Sequence, residues 1–306
     1  MRRKQTEGVA VMNVFSEEMV SGDGVVRIDV VGGEKREHIL EEMTFLNYRL
    51  ADVKLRSEIK KQKPDIVWNI ETPQKAIRYD GAQLTLDGIW EQGELNKIVV
   101  SMLALEMEKV GLHPFHSSAV RYRDTTILFL GGESNHGKSM SQIEGCRRGG
   151  FLISTETTVT DERGWAVMGS KNVYLRMRAK GTERADLPNQ DEGVSKFFSE
   201  NPPYINYDEP TDIDLVIMPG IDGHFDTKVV KMNRFEREYQ TFHSLMNYLG
   251  LNQLLSPPGI VMPIIDTDGL RAKRGDFCSR FAADRPYFMI RAKTPQLLFD
   301  EIEKLM

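Results

Sequence analysis

Between residues 125 and 139 the chain reads TTILFLGGESNHGKS, and no other stretch limits its folding as tightly. The apolar run Ile127, Leu128, Phe129 and Leu130 has the composition of a buried strand and stops at two glycines. Gly132, Gly137, Lys138 and Ser139 then fall at the spacing of a phosphate-binding loop. Such a loop must curl round a polyphosphate with its backbone N–H groups, and glycine tolerates both the left-handed geometry and the close approach. Lys138 supplies a point charge for outer phosphates, and the Ser139 hydroxyl suits the magnesium that travels with them. A helix beginning near Gly137 aims its positive end at the same place. The bare pattern arises by chance in about one chain in a hundred of this length. The strand pattern before it and the helical pattern over residues 138–148 after it weigh against the bland alternative, a glycine-rich turn with a solvated lysine.

At 306 residues the chain is long enough for two domains of ordinary size. A hydrophobic share of 40% and a charged share of 28% are those of a soluble globular chain, and the net charge of −5 argues against a nucleic-acid binder. Cys146 and Cys278 are far apart and lack metal-ligand spacing, so they read as bland thiols. The basic first residues are followed by no apolar signal region, and no apolar run approaches the roughly 18 residues that span a bilayer. The expectation is a cytoplasmic protein without membrane contact.

Residues 9–15 and 24–31 read as strands about the turn Ser21-Gly22-Asp23-Gly24. Residues 34–62 lack proline and place Ile39, Met43, Leu46, Leu50 and Val53 at helical spacing, which predicts one long or two shorter amphipathic helices with a solvated charged face. Strands are expected at 65–70, 75–79 and 82–86, with Asp80-Gly81 as a hairpin turn, and a helix over 94–110 closed by Gly111. Further strands are expected at 117–122, 125–130, 151–154, 165–168, 173–177, 214–218, 228–232, 260–265 and 287–290, and helices at 235–255 and 295–305. Residues 181–210 read as a long surface excursion. Several strands before the next helix predict a mixed sheet, in an α/β or α+β chain with an N-terminal α+β domain (1–111) and a nucleotide-binding domain (112–306).

The flanks of the loop add a second signal. His116-Ser117-Ser118-Ala119-Val120 precedes Gly132-Glu133-Ser134-Asn135-His136-Gly137-Lys138-Ser139, and Arg148-Gly149-Gly150-Phe151 leads to Thr155-Glu156. In order and spacing this resembles the HPr kinase/phosphorylase family, which shares its core with phosphoenolpyruvate carboxykinase. The match covers about 60 residues and takes in Met168-Gly169-Ser170. The resemblance implies phosphate and magnesium binding by Gly132, Gly137, Lys138 and Ser139, and places His116 on the strand next to the transferred phosphoryl group. The family carries two adjacent aspartates where this chain has Thr155 and Glu156. One serves the metal and the other is the general base, so Glu156 inherits a proton-accepting or metal-holding role, and Thr155 offers at most a weak metal ligand. Asn135 stands where the family has a small glycine, a position asparagine tolerates. His136 beside it either touches a phosphate or acceptor or is a solvated loop residue.

The resemblance therefore implies an ATP- or other NTP-dependent, Mg2+-requiring kinase acting on a hydroxyl of a small molecule or protein serine. His116, Glu156 and Lys138 would be catalytic, residues 132–139 would bind the nucleotide, and Ser139 and Glu156 would hold the metal, with a homo-oligomer left open. The alternative is a regulatory nucleotide-binding module whose altered acidic pair marks lost chemistry. An ordinary P-loop hydrolase would want an aspartate ending a buried strand, and Asp212 and Asp214 come too early on theirs. Glu133 either orients Lys138 or the metal or merely flanks the loop, and His113 reads as structural or catalytic. The basic group Arg271, Lys273, Arg274 and Arg280 reads as a loop, either solvated or facing a phosphate. His224 and His243 read as incidental, and Trp90 and Trp165 as core.

Overall fold

The computed structural model describes residues 13–34, 36–131, 136–175, 194–197, 204–255 and 257–306. Over these the chain is an α/β protein with mixed sheets of six and eight strands and seven helices. None of the helices is long and apolar enough to cross a membrane.

The six-stranded sheet takes β1 (Val14–Ser21), β2 (Gly24–Val31), β3 (Lys54–Leu55), β4 (Ile66–Asn69), β5 (Ala76–Tyr79) and β6 (Leu84–Asp87) in the order β3-β1-β2-β4-β6-β5. Strands β2, β4 and β6 run parallel, with antiparallel partners outside them. At the tip of the β5–β6 hairpin, the Asp80 carboxylate accepts the N–H groups of Ala82 and Gln83 at 2.9 and 2.7 Å, the turn its Asp-Gly sequence favours. Helix α2 (Gln92–Lys109) starts with a capping box between Glu91 and Glu94 and lies on this sheet with nearly its whole length buried.

Residues 34–62 do not form the expected long helices. Among the described residues they hold only α1 (Thr44–Arg49) and β3. The apolar spacing does mark buried positions: Ile39, Leu46, Leu50 and Val53 are in the core. Side chains that bond the backbone locally displace the helical pattern. Asn47 accepts the Val53 N–H at 2.8 Å and donates to its carbonyl at 3.2 Å, Asp52 sits at φ 50°, and the buried Glu18 carboxylate takes the N–H groups of Lys60 and Lys61.

The second sheet begins with β7 (His113–Tyr122), β8 (Thr125–Leu130), helix α3 (Lys138–Arg147), β9 (Phe151–Ser154), β10 (Thr157–Thr160) and β11 (Ala166–Gly169). A separate ribbon, β12 (Asn172–Leu175) with β13 (Val194–Phe197), follows. Then come β14 (Leu215–Ile221), β15 (Lys228–Lys231), α4 (Arg234–Met246), α5 (Leu251–Leu254), α6 (Asp268–Ala283), β16 (Tyr287–Ala292) and α7 (Pro295–Glu303). The order is β11-β10-β7-β8-β14-β16-β15, with β9 also on β7, and β8, β14 and β16 are parallel. Arg123 and Asp124, both at positive φ, make the tight β7–β8 turn. Both faces of this sheet are covered, which is why β8 is apolar from Ile127 to Leu130. Ile127 and Phe129 pack with α3 and α7, whereas Leu128 and Leu130 pack with α4 and α6.

Four expectations are corrected. Residues 260–265 form no strand, and the 235–255 helix is split into α4 and α5 around Gly250. Residues 271–280 are helix, not loop: Thr267 caps α6, and its two glycines obscured the periodicity. Trp165 is 36% exposed beneath the Arg163 guanidinium. Residues 157–160 form β10, a strand absent from the sequence expectations. Most of the 181–210 excursion, and the end of the 173–177 strand, lie outside the described residues. Of the excursion, Ile205 and Tyr207 hydrogen-bond Leu152 of β9. The core of the six-stranded sheet also takes in Val159, Tyr248, Leu249, Leu251 and Leu255, so apolar packing is continuous across residue 111.

Candidate functional site

The loop between β8 and α3 is fixed at both described ends. Lys138 is buried and donates to the Gly131 carbonyl at 2.7 Å, folding its side chain back across the loop's entry. Gly137 caps α3 at φ 106°, and a Cβ there would meet the Ile221 side chain at 2.8 Å, so only glycine fits. His136, half-buried, is held through its carbonyl by the Ile221 N–H at 3.2 Å. Ser139 occupies the first turn of α3. Gly132, Glu133, Ser134 and Asn135 lie outside the described residues.

His116 and Glu156 come together beside this entry. Ser117 pairs with Leu130, so His116 stands one residue further toward the loop, level with Gly131. On its other edge His116 pairs with Thr157 of β10. Its Nε2 lies 3.1 Å from Glu156 Oε1, and the same oxygen accepts from Arg49 Nη1 at 2.7 Å. All three side chains are at most 15% exposed. The Ser170 hydroxyl holds the Glu156 and Thr157 N–H groups at 3.1 and 2.9 Å, and Ser117 N–H donates to the Glu156 carbonyl. Ser244 donates to the His116 carbonyl at 3.0 Å, and Tyr248 places its ring edge-on to His116.

Electrostatics assigns the states. Burial alone would raise the Glu156 carboxyl, but the hydrogen bond from His116 and the Arg49 and Lys138 charges overcome it and hold it below the usual carboxylate range. Burial, with Lys138 and Arg49 adding to it, pushes the His116 imidazole below its ordinary value against the pull of Glu156, so the ring is neutral at pH 7. An ionised carboxylate only accepts, hence Nε2 carries the proton and Nδ1 the lone pair. Nδ1 is buried with no protein partner. Burial also lowers the Lys138 ammonium to about 8. The result is an oriented neutral base beside a depressed lysine at a helix N-terminus.

No protein-family model matches the chain. No curated protein matches it.

Other expected residues take different places. Thr155 is fully buried and its hydroxyl donates to the Ser170 and Asn172 carbonyls, so it is spent on the fold rather than offered to a metal. His113 faces the other way from His116, stacks on Phe277 at 3.8 Å and is driven by burial to about 4, a core histidine. Arg274 is buried between Glu108 and Asp266, and Arg280 meets Glu162, so both are drawn into ion pairs within the fold. His224 is exposed, and the Cys146 and Cys278 thiols are buried and raised to about 11 and 12. Among the described residues no three His, Cys, Asp or Glu side chains converge as a metal cage. The residues suit a magnesium that arrives on a polyphosphate, for which one hydroxyl such as Ser139 suffices beside phosphate and water oxygens. Sequence reasoning missed Arg49 and Tyr248, which lie 107 and 92 residues from Glu156 and carry no local signature.

Proposed function

We propose that this chain is a magnesium-dependent phosphotransferase of the HPr kinase and phosphoenolpyruvate carboxykinase kind, moving a phosphoryl group from ATP or another nucleoside triphosphate to a hydroxyl of a small molecule or a seryl side chain. One observation carries the reading: a neutral imidazole, oriented by an ionised carboxylate, stands level with the first residue of a loop that ends in Gly137, Lys138 and a helix N-terminus. Lys138 and the first N–H groups of α3 are suited to the outer phosphates. Magnesium held by Ser139 with phosphate oxygens would offset their charge. Glu156 is ionised and one of its oxygens already accepts from His116 and Arg49, so in this reading the proton acceptor is His116. The acceptor hydroxyl gives its proton to Nδ1 of His116 as its oxygen bonds to the γ-phosphorus. The bond from that phosphorus to the bridging oxygen breaks, and the nucleoside diphosphate leaves. Glu156 then stabilises the imidazolium, with Arg49 holding the carboxylate in place.

Thr155 favours a second reading, a nucleotide-occupied regulatory module, because the hydroxyl standing in for the family's first aspartate is used within the fold. Incubation with γ-labelled ATP, magnesium and hydroxyl-bearing acceptors separates the two. The kinase reading predicts label transfer by the wild type and a loss of about 100-fold or more in His116→Asn and in Lys138→Ala. Tight nucleotide binding with no transfer or hydrolysis would overturn it in favour of the regulatory module.

A further inference from the structure

A cleft of about 620 Å³ opens between the α1–β3 segment on one side and β11 with the start of β12 on the other. Its volume is that of a small-molecule site. Ala51, Val53, Ile153, Val167 and Met168 give it apolar walls. The charges on it are largely matched within the protein: Lys171 pairs with Asp208 at 2.9 Å and donates to the Leu152 and Ile153 carbonyls, and Lys54 pairs with Asp52 at 2.7 Å. Glu209, exposed on the lining, adds negative charge. What the cleft leaves unmatched is neutral. Asn172 is 1% exposed, lines the cleft, and neither its side-chain nitrogen nor its oxygen has a hydrogen-bond partner. The Asn206 side-chain oxygen, on the same lining, is likewise buried and unpaired. Buried polar atoms are almost always satisfied, and two residues carrying unsatisfied ones in the wall of one cavity mark where a ligand's polar edge belongs.

We infer that this cleft is a binding site for an uncharged small molecule with an apolar body and an amide or lactam edge. Its adjacent donor and acceptor pair with the Asn172 carboxamide. A phosphate or carboxylate ligand is disfavoured because both wall lysines are already neutralised and Glu209 would repel it. Nothing in this site depends on the loop at Lys138. It does share a wall with the His116 site, since the Asn172 carbonyl accepts from Thr155 and the Asn47–Val53 segment also carries Arg49.

Saturation-transfer NMR on the full chain tests the inference with uracil and nicotinamide as neutral probes and orotate as the anionic counterpart of uracil. Saturation should reach at least one neutral probe, with orotate binding about tenfold more weakly. Affinity for that probe should fall about tenfold or more in Asn172→Leu and in Val167→Trp and stay unchanged in Lys138→Ala. Val167 is half-exposed on an edge strand, so its variant fills the cleft without removing a buried polar group and keeps the test decisive if Asn172→Leu does not fold. No saturation of either neutral probe, equal binding of orotate, or binding that survives Val167→Trp would overturn the assignment.

Discussion

Arg49 does two things at once at Glu156: it keeps the carboxylate ionised and lowers the proton affinity of His116. Replacing it with methionine removes a charge that disfavours the imidazolium, so the His116 pKa moves up toward its ordinary value. A base must be neutral to act, and its rate is lost as pH falls through its pKa. The acid limb of the kcat–pH profile in Arg49→Met should therefore shift to higher pH than in the wild type. With the carboxylate no longer held, kcat should fall about tenfold or more while KM for the nucleotide changes little. A unit that merely kept the fold intact would lower activity at every pH without moving the limb. Sequence order made His116 and Glu156 legible, because both lie within the stretch that resembles a known kinase core. It left Arg49 invisible, because a lone arginine among evenly spaced charges reads as a solvated surface.

Helix α6 illustrates how an element escapes pattern reading yet binds the fold together. Gly269 and Gly275 interrupt it, and its polar residues point both ways, but Arg274 is fully buried and bonded to Glu108 of α2 and to Asp266. Glu108 is raised by burial despite that contact, whereas Asp266 is lowered by Arg274 and Arg271 against burial. Arg274→Met leaves the buried Glu108 without a cation and Asp266 with Arg271 alone, and should cost roughly 3–5 kcal/mol in urea unfolding at pH 7, with Arg274→Met plus Glu108→Leu recovering part of the loss. Equal stability of the single variant and the wild type would contradict a structural role for the triad. The converse failure occurred over residues 34–62, where helical spacing located the buried residues correctly but local side-chain bonds from Asn47 and Glu18 chose irregular backbone. Strand β8 was legible because its run Ile127–Leu130 is apolar, as a sheet covered on both faces demands, and stops at a glycine.

At the scale of the molecule, α1 and the segment after it bring Arg49 and one wall of the cleft against the eight-stranded sheet, so the proposed chemistry draws on both halves of the chain. The sequence showed a loop and its flanks; the closing of those halves over Glu156 depends on contacts more than a hundred residues apart and has no local pattern to read. In the proposed chemistry Lys138 binds the end of a polyphosphate beside the N-terminus of α3. Calorimetry with Mg-ATP and Mg-pyrophosphate on wild type and Lys138→Ala, at pH 7 and pH 9, tests it directly. With the ammonium at about 8 in the free protein, the charged form dominates at pH 7 and is a minority at pH 9. Affinity should therefore weaken about tenfold between the two, and Lys138→Ala should bind weakly at both. No heat from either ligand at pH 7, or equal affinity in Lys138→Ala, would contradict the account.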